Sequence, residues 1–256
     1  AAGIQPLYFG FKDTWNCLAP WNAIAVDLAP ADVCSRVNRG ETTFTEQYRE
    51  VAERMLELLP YGQKDPFSYG YNDACTAFAR GQSAMFTIGS YAVPQIKSVN
   101  PDMDIDTFVL PASDNAQENV LNSGIDLQFS VMADCPEKEA AYEVLDFLLA
   151  DENVQAYLDN QNAVPCKNGD FKLPSMLDGV ADYIKEGKMV DYQDHHYPTE
   201  MAVDALIQTY LIQKDTDAFL AGFDQDWQRY NRDLIAKVQR YEEEHPDTGA
   251  EGGTNQ

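Results

Sequence analysis

Apolar residues recur at helical spacing through much of the chain, with short uninterrupted apolar runs between them. Phe44, Tyr48, Val51, Ala52, Met55, Leu56 and Leu59 make one face of a helix. Thr43 and Glu46 open it with capping-box spacing, and Pro60-Tyr61-Gly62 stop it. Ala74, Ala77 and Phe78 predict a second helix, with Asn72 as its N-cap and running to Arg80, with Gly81 just past its C-cap. The run Ala84–Ile88 has strand length, as does Ile4–Gly10. Gly89-Ser90 break the 84–88 run, and Ser90 is a good N-cap for a helix from Tyr91, with Pro94 harmless in its first turn. Leu127, Phe129 and Val131 alternate as in a strand. Pro136, early acids and the face Ala140, Ala141, Val144, Leu145 and Leu148 predict a helix over 136–149. Another helix starts at Asp151 and ends before Ala163. The last carries Phe223, Trp227, Tyr230, Leu234, Val238 and Tyr241 as one apolar stripe, which reads as core and removes Trp227 from any binding site. Helices interspersed with short buried strands predict an α/β protein.

Composition narrows the function. Of the 256 residues, 45% are hydrophobic and 11% aromatic, enough for a sizeable core in one large or two modest domains. Forty-two acidic against 18 basic residues give a formal charge of −24, which argues against nucleic acid and anionic lipid surfaces and suits a neutral ligand better than a phosphate. No apolar run reaches the roughly 18 residues of a membrane span. The start, Ala1-Ala2-Gly3, lacks methionine and reads as that of a processed or shortened chain. Five cysteines (17, 34, 75, 135 and 166) form neither a C-x-x-C pair nor a zinc spacing, and no disulfide framework is read from them.

Candidate chemistry is sparse. A glycine turn at the carboxyl end of a strand leaves backbone N–H groups free, and here it presents the aromatic Tyr91; in open α/β sheets ligands bind at that edge. Trp15 sits in a polar loop, Asp13–Asn16, and Tyr69 and Tyr71 in a turn that reads as covering a cleft. Asp102, Asp104 and Asp106 resemble the start of a calcium loop, yet Thr107 stands where glycine is needed and Ser113 where the bidentate glutamate belongs. His195 and His196 with Asp194 invite a metal reading, but neighbours in an extended segment point to opposite sides. Neither a metal nor a cofactor is expected. No nucleophile elbow, zincin, P-loop or dinucleotide fingerprint appears.

Phe78, Gly81, Ala84, Met85, Phe86, Gly89, Ser90 and Tyr91 together resemble the core signature of the extracellular solute-binding proteins of carbohydrate ABC transporters, the maltose-binding-protein family. Phe147, Leu148, Asp151, Glu152, Val164 and Pro165 are similar to a second block of that family, in the right order. The resemblance covers about Ile4 to Tyr241. It implies a type II periplasmic-binding-protein fold, a mixed sheet flanked by helices, with no catalytic activity. The family's stacking tryptophan is replaced here by Tyr91. Trp15 and Tyr197 would be further platforms, and His196 a lesser contact. Gly89, Ser90, Asn122, Gly124 and Asp126 would line the cleft and hinge.

By the same resemblance, 1–120 and 168–245 form lobe 2, 121–167 is the part of lobe 1 present, and 246–256 is a tail. Most of the first lobe and its secretory or lipoprotein signal are absent, so affinity for ligand is expected to be poor. The helix at 136–149 would lose its partner sheet, leaving Ala141, Val144, Leu145 and Leu148 as an exposed patch, a contact with another chain, or repacked. The expected function is sugar or oligosaccharide binding for delivery to a membrane permease, outside the cell or in the periplasm, with the membrane touched only through a lipid anchor. The alternatives are a fragment of a glycoside hydrolase, which needs two carboxyl groups across an aromatic cleft, and a binding protein for a non-sugar, cationic solute.

Overall fold

In the computed structural model, which describes residues 4–125 and 127–245, helices carry the architecture. In order these are α1 Leu18–Leu28, α2 Val33–Asn38, α3 Phe44–Gln47, α4 Arg49–Leu58, α5 Tyr71–Ala79 and α6 Val93–Val99. Strand β1, Leu121–Asn122, precedes α7 Lys138–Leu148, α8 Asp151–Gln161 and α9 Ala181–Lys185. Strand β2, Met189–Val190, precedes α10 Val203–Gln213, α11 Thr216–Tyr230 and α12 Arg232–Glu244.

The main core lies where α1, α3, α4, α10 and α11 meet. Trp21, Phe44, Tyr48, Met55, Ile207, Leu211, Leu220, Phe223 and Trp227 are fully enclosed there. The apolar stripe read from 44–59 supplies one wall of it, although the helix is broken at Tyr48, whose ring enters the core edge-on to Trp21. Thr43 caps α3 as its spacing predicts, its hydroxyl accepting the N–H of Glu46, whereas the Glu46 carboxylate turns to the Thr42 hydroxyl instead of completing the box. Asp224 on α11 adds a second cap by accepting the N–H groups of Phe44 and Thr45. The second predicted helix starts two residues early, with Gly70 rather than Asn72 at its N-cap.

The predicted final helix is also broken, at Asn231. Phe223 and Trp227 lie in the core as expected, with the Trp227 indole N–H donating to Asn38 Oδ1 at 2.9 Å. Tyr230, just before the break, is exposed, and beyond it the facing changes: Ile235 turns inward, and Leu234 and Tyr241 are exposed.

Regular strand pairing is sparse among the described residues. β1 and β2 run parallel, with Leu121 opposite Met189 and Asn122 opposite Val190. The predicted strands at 4–10 and 84–88 meet only at one parallel bridge, Leu7 to Met85. The alternating segment at 127–131 adopts no strand, and Leu127 and Phe129 are exposed. A strand is stabilised by its ladder and by cover on its faces, and no neighbouring strand supplies either here.

Helix α7 forms close to its predicted bounds with no buried residue. Val144 is 56% exposed against 1% for Met55, and Phe147 and Leu148 are exposed too, so the expected apolar patch is present. Lys167 ties the end of α7 to the start of α8, donating to the Leu149 carbonyl and pairing with Asp151 at 2.5 Å.

Candidate functional site

A strap formed by residues 10–13 lies along the segment before α5. The Phe11 N–H donates to the Pro66 carbonyl and that of Lys12 to the Tyr69 carbonyl, both at 3.0 Å. The two chains approach so closely that a Cβ at Gly10 would lie 2.9 Å from the Gly70 carbonyl oxygen. Asp13 closes the strap by accepting the Tyr71 N–H at 2.7 Å, which also caps the start of α5. Immediately after Asp13, the turn Thr14–Cys17 raises Trp15, and buried Asn16 holds that turn by donating to the Gly10 carbonyl. Trp15 and Tyr71 are thereby set side by side, ring centroids 5.1 Å apart.

The third ring comes from the glycine turn. Gly89 has ordinary backbone angles, and its role is steric: the Tyr91 ring folds back over it into the space a Cβ would fill. That places Tyr91 6.3 Å from Trp15 and 6.5 Å from Tyr71, with planes tilted by 47° and 38°. Trp15 is 41% and Tyr91 42% exposed, and Tyr71 is half-buried, so three contiguous rings meet solvent. Burial and a contact with the Cys75 thiol raise the pKa of the Tyr71 hydroxyl and keep it protonated, while the thiol itself is pushed up to about 11. A second pair, Tyr8 just before the strap and exposed Tyr69 on the segment facing it, meets edge-to-face at 5.8 Å.

The structure therefore brings together Trp15, Gly89, Ser90 and Tyr91, and adds Tyr71. Asn122 and Gly124 lie at the β1–β2 pair. Asn122 braces that pair by donating from Nδ2 to the Val190 carbonyl at 3.2 Å. The Asp191 carboxylate and Tyr192 ring close over Gly124, and His195 Nδ1 pairs with Asp191 at 3.0 Å. His196 is exposed, and Asp126 lies outside the described residues.

Tyr197 is a correction. It is only 9% exposed, and its hydroxyl lies 2.7 Å from that of Tyr48 and accepts the Trp21 indole N–H. Its ring packs edge-on to Phe223 and Trp227. A ring enclosed in this way offers no face to a ligand, and burial drives its pKa far up.

Asp13 is committed to the Tyr71 N–H. Asp27 on α1 is a carboxyl group whose pKa is raised, by desolvation, and its two oxygens accept the backbone N–H groups of Ala112 and Val120 as a loop brace. Among the described residues no three His, Cys, Asp or Glu side chains are placed to hold a metal ion.

The sequence profile of the bacterial extracellular solute-binding proteins matches residues 8–155, more than half of the chain, and the chain belongs to that family. It has the type II periplasmic-binding-protein fold. RafE solved with raffinose superposes with a TM-score of 0.72 at 20% identity, covering 93% of this chain and 62% of that one. A Bacillus licheniformis sugar transporter solved with stachyose gives 0.72 at 16% identity over 90% of this chain and 61% of that one. The multiple sugar-binding protein of Streptococcus mutans is 31% identical over 97 residues, 38% of this chain and 23% of the relative. An extracellular-binding protein of an uncharacterised ABC transporter from Pyrococcus horikoshii is 24% identical over 127 residues, 43% of this chain and 29% of its own length. The chain thus spans about a quarter of the length of these curated relatives and about three-fifths of the solved structures. Its family comprises binding proteins rather than enzymes.

Proposed function

We propose that the protein binds a sugar and delivers it to the permease of an ABC importer, with Trp15, Tyr71 and Tyr91 as the stacking floor of its cleft. The cluster of three solvent-facing rings beside the Gly89-Ser90 turn carries this reading. Sugar rings have apolar C–H faces and hydroxyl rims, and aromatic faces flanked by the backbone N–H groups of a turn suit both. Residues 1–120 and 168–245 make one lobe, and 121–167 contribute to the other. Asn122 and Gly124 then lie where the chain passes between lobes, and closure there would trap the ligand. The protein works outside the cell or in the periplasm, tethered, where it is tethered, by a lipid anchor. A second reading, a cationic solute, draws on the same rings and the charge of −24, because aromatic faces also attract cations.

Thermal-shift measurements on the full-length protein test the proposal against neutral mono- and oligosaccharides and against quaternary ammonium compounds. A ligand that binds only the folded state raises Tm by mass action. The expected result is a shift with one class of sugar that disappears in Tyr91→Ala, with the sugar recovered unchanged. A shift with ammonium compounds alone would overturn the sugar reading and leave the fold untouched.

A further inference from the structure

We infer that Asp204 and Gln208 on α10 are positioning residues for the ring cluster, because together they hold the strap and turn that carry Trp15. The inference rests on the placement of Trp15 in the binding site above and says what keeps it there. The N–H groups of Phe11 and Lys12 are taken by the segment before α5. Their carbonyls accept from a side chain instead: Gln208 Nε2 donates to that of Phe11 at 2.5 Å and to that of Lys12 at 3.3 Å. The amide thus does for the strap what the N–H groups of a neighbouring strand do in a sheet. One helical turn earlier, Asp204 Oδ2 accepts the hydroxyl of Thr14, the residue immediately before Trp15.

Asp204 and Gln208 are four positions apart and share one face of α10. The helix is a firm base for them, since Val203, Ile207 and Leu211 are buried in the main core. Trp15 needs such a base. A ring that is largely exposed is not fixed by its own packing, so its direction is set by the turn beneath it. Asn16 holds that turn from within, and α10 holds it from outside. A turn released from α10 must be ordered again when ligand binds, which weakens affinity by about three- to tenfold while removing no contact to the ligand. Both residues lie beyond the 8–155 span that matches the family profile.

The experiment records fluorine NMR spectra of the full-length protein labelled with fluorotryptophan, the Trp15 line being identified by its loss in Trp15→Phe. Trp21 and Trp227 are enclosed in the core, and their lines report folding. Without ligand, Gln208→Met, Thr14→Val and Asp204→Ala are expected to move the Trp15 line at least about halfway towards that of free fluorotryptophan, with the core lines in place. Asp204→Asn keeps an acceptor for Thr14 and should restore most of the parent position. Calorimetry with raffinose, maltotriose and triacetylchitotriose as probes follows. Any that binds should bind about three- to tenfold more weakly to Gln208→Met and Asp204→Ala. Adding Gln208→Met to Trp15→Ala should cost nothing further. A Trp15 line that stays in place in Gln208→Met and Asp204→Ala while Tm falls overturns the inference, since α10 then only staples the fold. A line that moves while Kd is unchanged, for a sugar that Trp15→Ala weakens, overturns it too. No binding of any probe, with the line moved as expected, removes the sugar reading and upholds the hold of α10 on Trp15.

Discussion

At the scale of single residues, the glycine turn and the buried tyrosine make opposite predictions. Gly89→Ala keeps an allowed backbone but places a methyl group where the Tyr91 ring lies, so the ring must swing away. Sugar affinity should fall about as far as in Tyr91→Ala, on the order of tenfold for one lost aromatic contact of roughly 1–2 kcal/mol, with Tm nearly unchanged. Calorimetry beside a melting curve checks this, and full affinity in Gly89→Ala would rule out the steric role. Tyr197→Phe should do the reverse. It strips the hydroxyl that serves Tyr48 and Trp21 in the core, at a cost of about 1–3 kcal/mol in stability, and should leave sugar affinity alone. Weaker binding at an unchanged Tm would return Tyr197 to the site. The exposure of Trp15 and Tyr91 follows from their places in a polar turn and a glycine turn, where an aromatic residue has no periodic partner to pack on. The surroundings of Tyr71 and the burial of Tyr197 are not readable from the sequence for a common reason. Each side chain's environment is set by residues far away in sequence, Trp15 and the Gly10 strap for one, Tyr48 and Trp21 for the other. Spacing along a single segment carries no trace of such pairings.

At the scale of elements, periodicity located the helices, because an amphipathic face is a local property, and it missed their breaks. Tyr48 and Asn231 interrupt helices whose apolar stripes run straight through. At Tyr48 the ring and hydroxyl are held in the core, and tertiary contacts of that kind override propensity. Strands fared worse, since a strand needs a partner that the segment itself does not encode; 127–131 has the alternation without a ladder. Its half-exposed Leu127 and Phe129, together with Val144, Phe147 and Leu148 of α7, form apolar surface that in the two-lobe reading belongs against the other lobe. The 256-residue chain by itself should therefore bind a hydrophobic dye such as ANS. Val144→Glu with Phe147→Glu should lower that binding and change stability by less than about 0.5 kcal/mol, as for exposed positions. Met55→Ala, in the main core, should cost about 2–5 kcal/mol. A double variant as damaging as Met55→Ala would show that α7 is packed after all.

At the scale of the whole molecule, the charge of −24 separates the two ligand classes without any mutation. A surface this acidic builds a negative potential that attracts cations over long range, and that attraction is screened as the Debye length shrinks from about 30 Å at 0.01 M salt to about 3 Å at 1 M. Stacking of a neutral sugar on Trp15, Tyr71 and Tyr91 depends on contact and on exclusion of water, which salt of this range scarcely touches. A sugar is therefore expected to bind with the same Kd, within about twofold, from low to high salt, whereas an ammonium ligand should lose affinity steadily. Stability moves independently of binding: screening relieves repulsion among 42 acidic side chains, so Tm should rise with salt even as the sugar Kd stays flat. The two titrations must be read together, because an affinity that rises only in parallel with Tm reports a better-folded population and not a stronger contact. A Kd that weakens by tenfold or more with salt, while Tm rises, would place a cation on the aromatic floor.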